Sequence, residues 1–167
     1  MKTVQDNARG EETARALLLG AGFSRFCFST QFSLWFDRPA LAAYAGPPAP
    51  AEVELVLHGS WRFGGEEDWN AEVARFSPPG AVEPDEPVQA RNLAHLRWTE
   101  GATIKAVAFA GTDLRLEFEN GQVLTVLAGE QGETTWALGT LEGPETETSW
   151  SVTAVGDELF VRTPGGR

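Results

Sequence analysis

From Phe26 to Asp37 the chain reads FCFSTQFSLWFD, with Phe26, Phe28, Thr30, Phe32, Leu34 and Phe36 on alternate positions. A period of two is the side-chain repeat of a β-strand with one buried face, and a helix would scatter these residues around its axis. The run is therefore one long strand or a hairpin. Ser29-Thr30-Gln31 is the polar break at which a bend is expected. Arg38-Pro39 ends it, because proline brings no amide hydrogen to a ladder.

The same pattern recurs along the chain. VELVLHGSWRF (Val53 to Phe63) alternates and predicts a second strand with one buried face. ATIKAVAF, TTWALGTL, SWSVTAV and DELFVRT predict further strands, the last three as a meander. DLRLEFENGQVLTVLAG predicts a hairpin around Asn120-Gly121, a dipeptide that tolerates positive φ. Helices are expected over Glu11–Leu19, stopped by Gly20, over Trp69–Phe76 capped by Asp68, and over Pro87–Leu96. Residues 1–10 read as polar and frayed. GPPAPAE (Gly46 to Glu52) and SPPGAVEPDEP (Ser77 to Pro87) are proline-rich connections, the second marking the midpoint.

Phe23–Asp37 and Ile104–Glu119 can be laid in register. Phe23 meets Ile104, Phe26 meets Val107 and Phe28 meets Phe109; after one inserted residue Phe32 meets Leu114, Leu34 meets Leu116 and Phe36 meets Phe118. A Leu-bearing helix precedes each copy, and a Val/Leu strand and a tryptophan strand follow it. The expected fold is α+β, predominantly antiparallel β, in one domain over residues 1–167. Two diverged helix-plus-meander units, 11–76 and 87–141, would pack pseudo-symmetrically, with 142–167 as a C-terminal β extension.

The second copy carries Leu96, Gly101, Ile104, Val107, Phe109, Leu114, Leu116, Phe118, Glu119, Asn120, Gly121, Leu124, Val126, Trp136 and Leu138. In that pattern it resembles small acidic bacterial domains of the toxin-immunity type, over about 45 residues. These are core and turn positions, with no catalytic signature. The resemblance implies a protein that neutralises a toxin by binding it.

Charge points the same way. The chain has 24 acids against 13 bases, a formal net charge of −11. Backbone binding to DNA or RNA needs clustered Lys and Arg and is not expected. Acidity serves solubility, and it also attracts a basic partner such as a nuclease. A single cysteine excludes an internal disulfide and fits a reducing cytoplasm, and residues 1–22 lack a signal-peptide pattern. No apolar run has the roughly 18 residues a membrane span needs.

Candidate chemistry is sparse. His58 and His95 have no partner at metal-ligand spacing, the serines lie in no nucleophile elbow, and the paired glycines precede no phosphate-binding lysine. Cys27 reads as a small packed thiol. No cofactor, metal or enzymatic activity is expected. The candidate partner-binding residues are Glu66, Glu67, Asp68 and Trp69, on what reads as a glycine-framed loop, the acidic pair Asp85 and Glu86, and Trp35. Trp35 falls on the polar phase of its strand, where tryptophan serves well as an interface anchor. The leading expectation is an acidic immunity-type inhibitor of a basic protein toxin, acting as a monomer or homodimer. The alternative is a small-molecule-binding β-sandwich or half-barrel, and a plain scaffold domain comes third.

Overall fold

The computed structural model describes residues 4–38, 50–76, 86–140 and 149–164. A short strand β1 (Val4–Gln5) leads into helix α1 (Asn7–Leu18), then β2 (Gly22–Phe28), β3 (Phe32–Asp37), β4 (Glu52–Leu57) and β5 (Trp61–Phe63). Helices α2 (Glu66–Phe76) and α3 (Glu86–Thr99) follow. Strands β6 (Ile104–Ala110), β7 (Asp113–Phe118), β8 (Val123–Val126), β9 (Thr134–Gly139), β10 (Ser151–Val155) and β11 (Glu158–Arg162) complete the chain. Among the described residues the strands form two sheets, β1-β11-β10-β9-β4-β3-β2 and β5-β8-β7-β6, and every pairing is antiparallel. The fold is α+β with β predominant.

The alternating run is a hairpin that bends at Ser29-Thr30-Gln31, where the Ser29 amide donates to the Gln31 carbonyl. Its ladder sets Phe23 opposite Phe36, Phe26 opposite Leu34 and Phe28 opposite Phe32, with a bulge after Phe23. In β6–β7, Ile104 stands opposite Phe118, Val107 opposite Leu116 and Phe109 opposite Leu114, with a bulge after Ile104. The two hairpins also touch, and their contacts are reciprocal. Gly20 N–H donates to the Ile104 carbonyl (2.9 Å), and Gly101 N–H to that of Phe23 (2.7 Å). Phe23 N–H donates to Ala102, and Ile104 N–H to Ala21. Gly20 and Gly101 reach these positions with φ of 78° and 84°, a region that only glycine enters without strain.

The tryptophan strands depart from expectation. Val53–Phe63 is not one strand but two, β4 in the larger sheet and β5 in the smaller. β5 pairs with β8 of the second half, and β9, which carries Trp136, pairs with β4 of the first. Each half thus lends one strand to the sheet of the other. Among the described residues, α2 in the first half, and β1, β10 and β11 in the larger sheet, have no counterpart. β4 is covered on both faces, so Glu54 and Val56 are buried as well as Val53, Leu55 and Leu57.

One apolar core lies between the sheets. Leu34, Phe36, Leu55 and Leu138 enter from the larger sheet, Leu116, Phe118, Leu124 and Val126 from the smaller, and Ala14, Leu17 and Leu18 from α1. Side chains of this size are each worth about 1.5–3 kcal/mol when fully buried. Residues 4–10 are not frayed. β1 pairs with β11, Asp6 caps α1 by accepting from the Arg9 amide, and Asn7 bonds both Asp157 and Leu159. These ties start α1 four residues earlier than its acidic pattern suggests.

Gly139 closes the contact between β9 and β10. Its φ is 148°, and a Cβ there would run into the Trp150 carbonyl. Gly121 has a comparable left-handed φ of 83° but open space around it. Gly139→Ala is expected to cost about 2–4 kcal/mol, from strain plus overpacking, and Gly121→Ala about 1 kcal/mol, from strain alone. Urea denaturation of both variants checks the order; equal losses would remove the clash from the account.

Candidate functional site

The candidate site is created by the break between β4 and β5. After Leu57 the His58 and Gly59 amides both donate to the Thr135 carbonyl at 2.9 Å, which turns the chain out of the larger sheet. Gly59 is close to Thr135 here: an added Cβ would lie 3.3 Å from its Cγ2. The chain re-enters as β5, one of the two edge strands of the smaller sheet. Between this edge, the tip of the β2–β3 hairpin and helix α2 there is a cleft of about 490 Å³.

Aromatic rings wall it. Phe28 and Phe32 stack with centroids 4.5 Å apart, and Trp61 meets Phe32 edge-on at 4.8 Å. Trp69 contributes from α2, and Leu57 and Leu127 add aliphatic surface. Aromatic pairs at these separations hold one another in place. Phe28 is 63 % exposed, so the phenylalanine phase leaves the core at the hairpin tip and faces the cleft instead. The run at Phe26–Phe36 is therefore core at Leu34 and Phe36 and wall at Phe28 and Phe32.

The free edge of β5 is closed by a side chain. Asn92 of α3 is buried; its Oδ1 accepts from the Phe63 amide (3.2 Å) and its Nδ2 donates to the Trp61 carbonyl (3.3 Å). Its amide thus satisfies backbone groups that would otherwise stay unpaired. Next to it His95 stacks on Phe63 and bonds Gln122 through Nδ1 (2.9 Å). A smaller hollow of about 300 Å³ adjoins the cleft and shares Trp69 and Asn92 with it.

The charges at the cleft run against those of the whole chain. Among the described residues lining it there is no acid, but there are Arg62 and His58. The Arg62 side chain is only 15 % exposed. Its ion pair to the well-exposed Glu66 is long, 3.8 Å. A 3.8 Å pair to an exposed carboxylate is worth little, so the guanidinium charge is only weakly answered there.

The residues expected to bind a partner separate. Trp69 is half-buried and walls the cleft. Glu66, Glu67 and Asp68 are exposed, but they form the first turn of α2 and not a loop; Asp68 is inside the helix, where acids favour the N-terminal dipole. The face that carries Trp35 is covered, not wet. Trp35 is 8 % exposed, with the Arg25 guanidinium 4.7 Å over its ring, and Arg25 is itself held by both Glu52 oxygens. Asp85 lies outside the described residues. Glu86 begins α3, and its side chain lies outside them too. Cys27 is exposed on the edge strand β2, not packed. His58 is exposed at the cleft and His95 is half-buried.

Phe28, Phe32, Arg62 and Asn92 were not among the expected site residues. Their chemistry arises from three chain segments meeting, for which no local spacing is a signal. Among the described residues no helix is long and apolar enough to cross a membrane, and no three His, Cys, Asp or Glu side chains converge as a metal site would need. No protein-family model matches the chain, and neither a curated protein nor a solved structure does.

Proposed function

We propose that the chain is a ligand-binding protein whose site is the aromatic cleft beside β5. The observation that carries this reading is the cleft itself: about 490 Å³, walled by Phe28, Phe32, Trp61 and Trp69, with polar groups converging from β5 and its flanks. Small-molecule sites have this size and this mixture of apolar wall and few polar groups. The other half supports it by contrast. Trp136, which aligns with Trp61 in strand order, is fully buried; its Nε1 donates to the Thr112 carbonyl (2.9 Å), and Thr112 bonds Gly156 of the β10–β11 turn. Where one half is filled by its own chain, the other leaves a tryptophan half-exposed beside a cavity. On this reading the two halves are diverged copies of one unit that exchanged their last strands.

Amide chemical-shift mapping of the whole chain against a small-fragment library tests the site. Shifts concentrated at residues 28–32, 57–62 and 69 are the expected result. Binders that map elsewhere, or the absence of any binder, would contradict it.

A second reading keeps the acidic immunity-type inhibitor of a basic toxin. Its supporting observation is that Glu66, Glu67 and Asp68 all stand exposed at one helix end, beside Trp69. With a cognate basic partner, the triple variant Glu66→Gln, Glu67→Gln, Asp68→Asn is expected to slow association about tenfold at low salt and to flatten its salt dependence. An unchanged association rate would exclude α2 from such an interface.

A further inference from the structure

We infer that the cleft beside β5 takes a planar aromatic anion, with a carboxylate held by Arg62 and the ring held among the aromatic walls. This rests on the ligand-binding reading above and adds the class of ligand. The argument starts from charge. With 24 acids and 13 bases in the chain, a cavity lined at random would carry acids in excess. Among the described residues this one carries none, and its titratable groups are Arg62 and His58.

Arg62 is also unfinished as a structural group. Its side chain is 15 % exposed and lines the cleft, and its ion pair to the exposed Glu66 is long, 3.8 Å. A guanidinium presents paired donors in a fixed plane, which matches the two oxygens of a carboxylate. The alternative partner for four aromatic rings is a cation, as in aromatic cages. A guanidinium in the same lining opposes that occupant.

The walls determine the other end of the ligand. Phe28 and Phe32 offer stacked rings, and Trp61 stands edge-on to Phe32. Trp69 closes the cleft from α2. Asn92 is spent on the β5 edge and is not free to recognise the ligand. Gln31, Thr30 and Ser60 at the cleft supply neutral polar contacts. A one- or two-ring acid fits a volume of about 490 Å³.

Three probes share one ring and differ in charge: indole-3-acetate, indole-3-acetamide and tryptamine. Titrated into the whole chain and followed by amide chemical shifts, indole-3-acetate is expected to bind at least tenfold more tightly than indole-3-acetamide, with tryptamine weakest. Arg62→Gln is expected to erase the preference while indole-3-acetamide still binds. Should that variant fail to fold, the three-probe order on the unaltered chain decides by itself. If the amide or the amine equals the acid, or if Arg62→Gln keeps the preference, the cleft stands and the anion assignment falls. If no probe shifts the amides of residues 28–32, 57–62 and 69, the cleft reading falls with it.

Discussion

Four backbone hydrogen bonds hold the two hairpins together, and the rest of the structure is arranged around them. Gly20 and Gly101 each donate to the first strand of the opposite hairpin, and Phe23 and Ile104 each donate back to the residue after the other's glycine. A side chain at either glycine would have to adopt a left-handed backbone. With the hairpins fixed in this way, β4 and β8 are third strands in separate sheets. The tryptophan strands then cross, β5 to β8 and β9 to β4. The crossing takes the chain out of the larger sheet at His58-Gly59, and the cleft opens where it leaves.

The crossing also makes the sheets dependent on each other. Neither sheet contains only the strands of one half, so separating the halves would strip β9 from β4 and β5 from β8. The buried face follows the same logic. Phe23 packs against both Phe36 of its own hairpin and Phe118 of the other, and Phe109 lies against Trp136. Burial of this kind is not divisible into two smaller cores.

Local order was legible in the sequence; long-range placement was not. The period of two identified β2, β3, β6 and β7, and the aligned apolar positions are those the two ladders set opposite one another. Asn120-Gly121 marked its turn, which Gly121 closes by donating to Phe118. The periodicity of Val53–Phe63 runs unbroken through His58-Gly59-Ser60, so it carries no sign that the strand changes sheets. What divides it is a contact with Thr135, far along the chain. The cover over Trp35 is not legible locally, because alternation reports which residues share a face and not whether that face is covered. Arg25 and Glu52 screen it through a cross-strand ion pair that composition does not reveal. The acids of Glu66–Asp68 were visible as a cluster, but charge alone does not distinguish a display loop from a helix's first turn. The cleft was invisible for a simple reason: its walls come from the β2–β3 tip, β5 and α2.

Native-state hydrogen exchange tests the interlocked architecture most directly. The account predicts that the slowest amides of β3, β4 and β9 in one sheet and of β7 and β8 in the other exchange through the same global opening, with equal free energies and equal denaturant dependence. A sub-global opening that releases one sheet's core amides while the other's stay protected would contradict it.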